Sequence, residues 1–110
     1  MSQKFGLKSE TIDAINRVFG EFPKIRRVVI YGSRALGSYR NASDIDLTII
    51  DENLDFQEFL LIESMLDELL LPWKTDLSQL RKITNPELID HIMRVGQDFY
   101  VREALNDNPE

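Results

Sequence analysis

The fold of this chain is decided by the stretch YGSRALGSYRNASDIDL, residues 31–47. Before it, the β-branched and aromatic residues of Ile25–Tyr31 predict a strand that breaks at the next glycine. At its end, Ile45–Ile50 alternates apolar with polar residues and predicts a second strand. Between the strands we expect one short helical turn over Ser33–Gly37 and a polar loop over 38–43.

Hydrophobic periodicity and turn residues predict the rest of the chain. The expected elements are a helix over Ser9–Phe22 with Ser9 as its N-cap, a helix capped by Asp55 that runs to about Leu70, a strand over Pro72–Leu77, a helix over Pro86–Val95 and a short edge strand over Phe99–Val101. Asn106–Glu110 is expected to be a polar tail that frays. The order αβ(α)βαβαβ predicts the α/β (α+β) class, with a small mixed β-sheet and packed helices in one domain, 1–110.

Composition limits the classes of function. The 110 residues, 43% hydrophobic and 29% charged, are typical of one soluble globular domain. No apolar run is long enough for a membrane span and the first residues hold no signal core, so we expect a cytoplasmic protein. Zero cysteines and one histidine exclude thiolate sites and histidine-rich zinc sites. The net charge of −6 argues against an extended nucleic-acid surface.

Two aspartates at the start of the second predicted strand form the first candidate site. Side chains two apart on a strand point to the same face, so Asp44 and Asp46 are expected to project together. Two anions held this close repel each other unless cations lie between them. Oxygen ligands without Cys or His nearby suit Mg²⁺ or Mn²⁺, and the pattern is typical of two-metal phosphoryl transfer.

The second candidate site is the Gly32-Ser33 pair, where a strand enters a helical turn. Backbone N–H groups at such a point bind anions, glycine allows close approach, and the Ser33 hydroxyl adds a donor. Arg34 is either a further phosphate ligand or a solvated surface arginine. A P-loop is rejected because Ser38 stands where that motif needs lysine, and no Gly-x-Gly-x-x-Gly supports a dinucleotide fold.

Other polar residues leave alternatives open. Asp76 is either a third carboxylate of the metal site or an ordinary strand-end acid, and spacing does not choose between them. His91 is interpreted as a solvated or core-edge residue of a helix rather than a catalyst. Asp51 and Glu52 are interpreted as turn residues at the far end of their strand.

Gly-Ser, ten residues, then Asp-x-Asp resembles the signature of the DNA polymerase β-like nucleotidyltransferase superfamily. The short chain and the segments GSRALG (32–37), SDIDL (43–47) and TDL (75–77) are similar to its minimal nucleotidyltransferase (MNT) branch. Motifs match over 31–50 and 75–77, and the element order matches over nearly the whole chain. The resemblance implies a polymerase β palm-like fold.

The resemblance also implies roles for residues. Asp44, Asp46 and Asp76 would be the catalytic carboxylates and the ligands of two Mg²⁺ ions, with Mn²⁺ as a substitute, and Asp76 would help to activate the acceptor hydroxyl. Gly32 and Ser33 would bind the triphosphate of ATP or another NTP. Members of this branch commonly pair with a small helical HEPN protein as the antitoxin of a toxin–antitoxin module, and some attach AMP to a tyrosine of that partner.

Three hypotheses follow for the activity. The leading one is a metal-dependent transferase that moves a nucleoside monophosphate, AMP from ATP, to a hydroxyl on a HEPN partner in a hetero-oligomer. The second is an antitoxin that neutralises its partner by contact, with the metal site vestigial or subordinate. The third, transfer to a small molecule or to an RNA end, has less support because neither a substrate domain nor a basic stripe is evident.

Overall fold

The structure, a computed structural model, describes residues 3–51 and 53–102. Its elements, in chain order, are β1 Gln3–Lys4, β2 Leu7–Lys8, α1 Ser9–Gly20, β3 Ile25–Tyr31, α2 Gly32–Leu36, β4 Ile45–Asp51, α3 Phe56–Asp67, β5 Thr75–Gln79, a 3₁₀ turn Leu80–Lys82, α4 Pro86–Val95 and β6 Gln97–Val101. The predicted tail Asn106–Glu110 lies outside the described residues. No helix among those described is long and apolar enough to cross a membrane.

The central sheet has four strands in the order β5-β4-β3-β6. β3 pairs with β4 and with β6 in antiparallel fashion, whereas β4 and β5 run parallel. Helix α3 lies between β4 and β5 in sequence, as a parallel crossover requires. The predicted class, a small mixed sheet with packed helices, is confirmed.

The two faces of the sheet have different roles, because side chains alternate along each strand. Ile45, Leu47 and Ile49 of β4 are fully buried in the main core, together with apolar residues of α1 and α3. Asp46 and Thr48 alternate with them and therefore point to the opposite face. The polar face of β4 is the one on which a functional site can be built.

Helix α3 shows how local sequence positions an element. Asp55 accepts a hydrogen bond from the N–H of Glu58, and the Glu58 carboxylate accepts one from the N–H of Asp55, which together form a capping box. The predicted N-cap is therefore confirmed. The helix ends at Asp67, three residues before the predicted end, and Leu70 adopts a left-handed φ of 55° in the turn that follows.

Several predicted boundaries are wrong by one or more residues. Ser9 is the first residue of α1 rather than its N-cap, which is Lys8. Strand β5 begins at Thr75, not at Pro72, because its parallel pairing with β4 starts at the pair Ile45 and Thr75. Other element ends also differ from the prediction. Helix α1 ends at Gly20, α2 covers Gly32–Leu36, β4 ends at Asp51, β5 ends at Gln79 and β6 begins at Gln97.

A short N-terminal hairpin was not predicted. β1 and β2 are joined by Phe5 and Gly6, both with positive φ, of 59° and 73°. Two positive φ values in a two-residue loop are the geometry of a type I′ turn. Strands of two residues carry too little periodicity to be predicted from the sequence.

Asp51 is more than the turn residue that the sequence suggested. Its carboxylate accepts the N–H of Leu54, as a turn residue would, but its side chain is 1% exposed and is also paired with Arg81 at 3.0 Å. Gln79 donates to the same carboxylate. Asp51 therefore ties the end of β4 to β5 and the 3₁₀ turn. Glu52 lies outside the described residues.

Candidate active site

The site is organised around the turn at Gly32, where β3 ends and α2 begins. Gly32 has a φ of +74°, in the left-handed region that only glycine adopts without cost. A Cβ atom at this position would lie within 2.3 Å of Asp46 Oδ2. Glycine is therefore needed for the backbone conformation and also for the close approach of the Asp46 carboxylate.

Two of the three predicted carboxylates are brought side by side by the sheet. Asp46 of β4 and Asp76 of β5 are register partners in the parallel pair, and neighbouring strands lie about 4.8 Å apart. On its other side, Asp46 is the register partner of Tyr31. Asp44 is exposed and lies two residues before Asp46, just outside the start of β4. The three carboxylates therefore share one end of the sheet.

The electrostatics of this end are dominated by negative charge. Burial raises the pKa of the Asp46 carboxyl above its ordinary value, and the charges of Asp76 and Asp44 raise it further. The charge of the Arg34 guanidinium acts in the opposite direction, as would the charge of a protonated His91. Both burial and repulsion by neighbouring carboxylates therefore disfavour the ionised form of Asp46. A cation bound beside it would stabilise that form.

The donor set suits a hard divalent cation, although the side chains are not gathered into a finished cluster. Within residues 3–51 and 53–102, no three His, Cys, Asp or Glu side chains form a group that is ready to hold a metal ion. The three carboxylates nevertheless supply only oxygen donors, which are the ligands of Mg²⁺. They fit such an ion by chemistry and by position at one end of the sheet.

Tyr31 and Ser78 complete the polar face next to the aspartates. Burial raises the pKa of the Tyr31 phenol, a hydrogen bond with Ser78 lowers it, and the charges of Asp46 and Asp76 raise it again. The Ser78 hydroxyl is also 2.9 Å from the hydroxyl of Thr48. These groups form a polar network that links β3, β4 and β5, with Thr48 fully buried within it.

His91 is half-buried, as expected for a core-edge residue, and it also contacts the Gly32 turn, which the sequence did not predict. Its Nε2 accepts a hydrogen bond from the N–H of Gly32 at 3.1 Å, and its ring meets Tyr31 edge-on, with centroids 6.1 Å apart. The N–H of Gly32, expected to be free for phosphate, is therefore engaged. The sequence holds a weak signal for this contact, because the helical spacing puts His91 on the same side of α4 as the partly buried Leu88 and Val95.

Ser33 lies just beyond the bound N–H of Gly32, at the first turn of α2. Its side chain is partly exposed, and its carbonyl accepts the N–H groups of Gly37 and Ser38. Because α2 has only five residues, its dipole is small. The amide and hydroxyl of Ser33 are thus the groups of the Gly-Ser pair best placed to meet a phosphate.

Of the two environments that the sequence suggested for Arg34, the solvated surface is wrong. Arg34 is 2% exposed, so it is not a solvated surface arginine. Its Nε and Nη2 donate to the carbonyl of Ser43, Nη2 also to that of Asn41, and Nη1 to that of Phe5. A direct phosphate contact is at odds with this arrangement, because each guanidinium nitrogen already serves a main-chain carbonyl.

The aromatic rings of Tyr39 and Trp73 lie over the same guanidinium, at 5.3 and 5.4 Å. Trp73 also donates its indole N–H to the carbonyl of Asn41. Arg34 therefore holds loop 38–43 against the N-terminal hairpin. We call this set of hydrogen bonds from Arg34 the clamp. Because the loop leads directly into Asp44, the clamp restricts the position of that aspartate.

Comparison with known families identifies the fold. The family model for polymerase beta, nucleotidyltransferase, matches residues 13–104. The chain belongs to this family. The matched range contains Gly32, Ser33 and the three aspartates. No curated protein sequence is significantly similar to this chain.

Three solved structures illustrate the similarity of this family member to known folds. A chain of a toxin–antitoxin complex with AMP-PNP has 22% identity and a TM-score of 0.65, over 92% of this chain and 79% of that one. A complex of a tri-AMPylated HEPN toxin with its MNT antitoxin, from Shewanella oneidensis, gives 18% identity, a TM-score of 0.62 and coverages of 89% and 76%. A candidate nucleotidyltransferase from Sulfolobus solfataricus gives 19%, 0.53, and coverages of 92% and 91%. The shared fold is that of the nucleotidyltransferases.

The close approach at Gly32 can be tested by comparing Gly32→Ala with Gly37→Ala. Both glycines have positive φ, so each alanine should lower the free energy of unfolding by about 1–2 kcal/mol. Only at Gly32 would the new Cβ meet Asp46, because no atom lies within 4 Å of the corresponding position at Gly37. We expect a larger loss of stability in urea denaturation for Gly32→Ala. Equal losses would show that the contact with Asp46 is not restrictive.

The clamp can be tested with Arg34→Lys, which keeps the charge but not the planar set of donors. Leaving buried carbonyls unpaired should lower the free energy of unfolding by about 1–3 kcal/mol. Hydrogen exchange at the amides of 38–43 should become faster. The matched control is Arg94→Lys, since Arg94 makes only an exposed pair with Asp90. Unchanged exchange in the loop would contradict the clamp.

Proposed function

We propose that this protein is a metal-dependent nucleotidyltransferase that transfers AMP from ATP to a hydroxyl group on a partner protein. The observation that carries the proposal is the register of Asp46 with Asp76, on adjacent strands beside the Gly32 turn. This arrangement brings the carboxylates and the Gly32-Ser33 turn to one end of the sheet, which supports binding of metal and phosphate side by side. Membership of the nucleotidyltransferase family supports the same reaction.

In this proposal the residues divide the work between them. The hydroxyl and amide of Ser33 bind the triphosphate, and Gly32 allows the phosphates to approach the backbone closely. The acceptor oxygen attacks the α-phosphorus, the bond to the β-phosphate oxygen breaks, and pyrophosphate leaves. The acceptor proton passes to Asp76, whose exposed carboxylate lies next to Asp46 and open to a second substrate.

Asp44, Asp46 and Asp76 would hold two Mg²⁺ ions, or Mn²⁺ in their place. Bound there, such ions neutralise the charge of the triphosphate and of the leaving pyrophosphate. Burial raises the pKa of Asp46, and the charges of Asp76 and Asp44 raise it further. The part that comes from these two charges supports the assignment, because a cation would offset their repulsion. A site lined by three carboxylates needs such cations to bind a polyphosphate nucleotide.

The partner in this proposal is a small helical HEPN protein, in a toxin–antitoxin pair of which this chain is the antitoxin. The support is the structural similarity to MNT antitoxins, one of them solved with a tri-AMPylated HEPN toxin and a related complex with AMP-PNP. One small domain has little surface with which to select an acceptor, so the acceptor would be presented by the partner in a hetero-oligomer. We place this pair in the cytoplasm.

A second candidate function is neutralisation of the partner by contact alone. Two observations favour it: the described carboxylates form no finished metal cluster, and α3 exposes the apolar side chains of Phe56, Leu60 and Leu61. Exposed apolar patches commonly mark protein interfaces. The two functions differ in whether protection requires the aspartates.

Asp46→Asn is expected to abolish transfer while leaving the fold intact. The substitution removes a carboxylate ligand, and a loss of at least about 100-fold, or about 2.7 kcal/mol, is expected in kcat/KM. Removing a charge that burial and its neighbours oppose should leave Tm unchanged or raise it. The measurement is transfer of labelled AMP from ATP with Mg²⁺ to the co-purified HEPN partner, alongside a thermal melt.

The control for this experiment is Asp67→Asn, the same change at an exposed aspartate of α3. It should transfer AMP at the wild-type rate. EDTA should stop the wild-type reaction, and added Mg²⁺ or Mn²⁺ should restore it. Undiminished transfer by Asp46→Asn would sink the proposed mechanism.

The double variant Asp44→Ala with Asp46→Ala separates transfer from contact. If the protein acts by transfer, this variant should still bind the partner but should lose protection of cells against it. Growth of cells that co-express the partner measures protection, and co-purification measures binding. Full protection by the double variant would favour neutralisation by contact and would overturn the catalytic proposal.

A further inference from the structure

Gly32 is fixed between two side chains from distant parts of the chain. On one side lies the Asp46 carboxylate. A Cβ atom at Gly32 would lie 2.3 Å from its Oδ2. On the other lies His91 of α4, whose Nε2 accepts the Gly32 N–H at 3.1 Å. A glycine with positive φ has wide conformational freedom by itself. The hydrogen bond to His91 restricts the direction of the Gly32 N–H, and the nearby carboxylate excludes any side chain at this position.

We propose that His91 is a positioning residue for the phosphate-binding turn. By accepting the N–H of Gly32, its Nε2 fixes the peptide between Tyr31 and Gly32, and therefore the direction in which the amide and hydroxyl of Ser33 point. The histidine does not touch the nucleotide. Its effect on transfer rests on the proposed function, whereas its effect on the turn does not.

The fold supports His91 rigidly enough for this role. Helix α4 begins with Pro86 at its first turn and is capped by Asn85, whose side chain accepts the N–H of Glu87. At its other end, Gly96 is pressed against β3, because a Cβ there would lie 2.6 Å from Val29 Cγ1. Ile92, next to His91, is buried. The helix is therefore held against the strand that leads into the turn.

The hydrogen bond also defines the state of the imidazole. Because Nε2 accepts a proton from the main chain, the neutral ring must carry its own proton on Nδ1. Its ring stands at 80° to that of Tyr31, which restricts its rotation. With Nε2 engaged in this way, His91 is not free to act as a general base. The contact with Gly32 is what the residue provides to the site.

The direct test is nuclear magnetic resonance of the ¹⁵N-labelled protein without a histidine tag. The chain has one histidine and five glycines, so the imidazole signals are unambiguous and Gly32 can be assigned from its loss in Gly32→Ala. We expect the Nδ1–H tautomer, a scalar coupling between the Gly32 nitrogen and His91 Nε2, and slow exchange of the Gly32 N–H. An Nε2–H tautomer would overturn the proposal even if no variant folds.

Variants test the consequence for nucleotide binding. His91→Leu removes the acceptor, whereas His91→Gln carries an amide oxygen that can reach nearly the position of Nε2. For His91→Leu we expect faster exchange of the Gly32 N–H and a KM for ATP raised about tenfold, with a smaller change in kcat. His91→Gln should restore both. Met93→Gln, an exposed position on the same helix, is the control for placing glutamine in α4.

The outcomes for His91 and for the proposed function can be told apart. If the wild type transfers no AMP, the proposed function fails, and binding of ATP with Mg²⁺ by calorimetry then replaces KM. If the wild type is active and a folded His91→Leu keeps both the wild-type affinity for ATP and slow exchange of Gly32, the positioning role is overturned. A loss of affinity that His91→Gln does not restore also overturns it, because the acceptor would then not be the cause.

Discussion

The left-handed turn at Gly32 is the constraint on which the rest of the site depends. It ends the strand that runs through the middle of the sheet and begins α2 without an intervening loop. Only a residue without Cβ allows the Asp46 carboxylate to lie against the backbone at this point. The Gly32-Ser33 turn and the Asp46 carboxylate therefore lie close together, although ten residues separate their motifs.

This proximity has an electrostatic cost. Asp46 is partly buried between Tyr31 and Asp76, and its raised pKa reflects both the burial and the negative charge of its neighbours. Arg34 offsets part of this charge, yet its donors are used by main-chain carbonyls. The ionised carboxylates of this site repel each other when no cation lies between them. This arrangement is compatible with a site that binds divalent cations together with a polyphosphate.

The structure gives two residues contacts that the sequence did not predict. Arg34, a candidate phosphate ligand, is buried and holds the loop that precedes Asp44. His91, interpreted as a bystander, binds the N–H of Gly32 and meets Tyr31. Both side chains form hydrogen bonds with the main chain beside the Gly-Ser and Asp-x-Asp motifs. A short catalytic domain relies on such contacts because it has few other elements to hold its loops.

The sequence by itself determined what depends on neighbouring residues: strand β3, helix α4, the Asp55 cap and the spacing of the Gly-Ser and Asp-x-Asp motifs. These follow from local periodicity, capping and backbone sterics. Only the tertiary structure decided that Asp76 stands beside Asp46 and that His91 reaches Gly32. Strand register and the contact of a helix with a distant turn depend on packing between residues that lie 30 or more positions apart. Local sequence patterns do not predict such contacts.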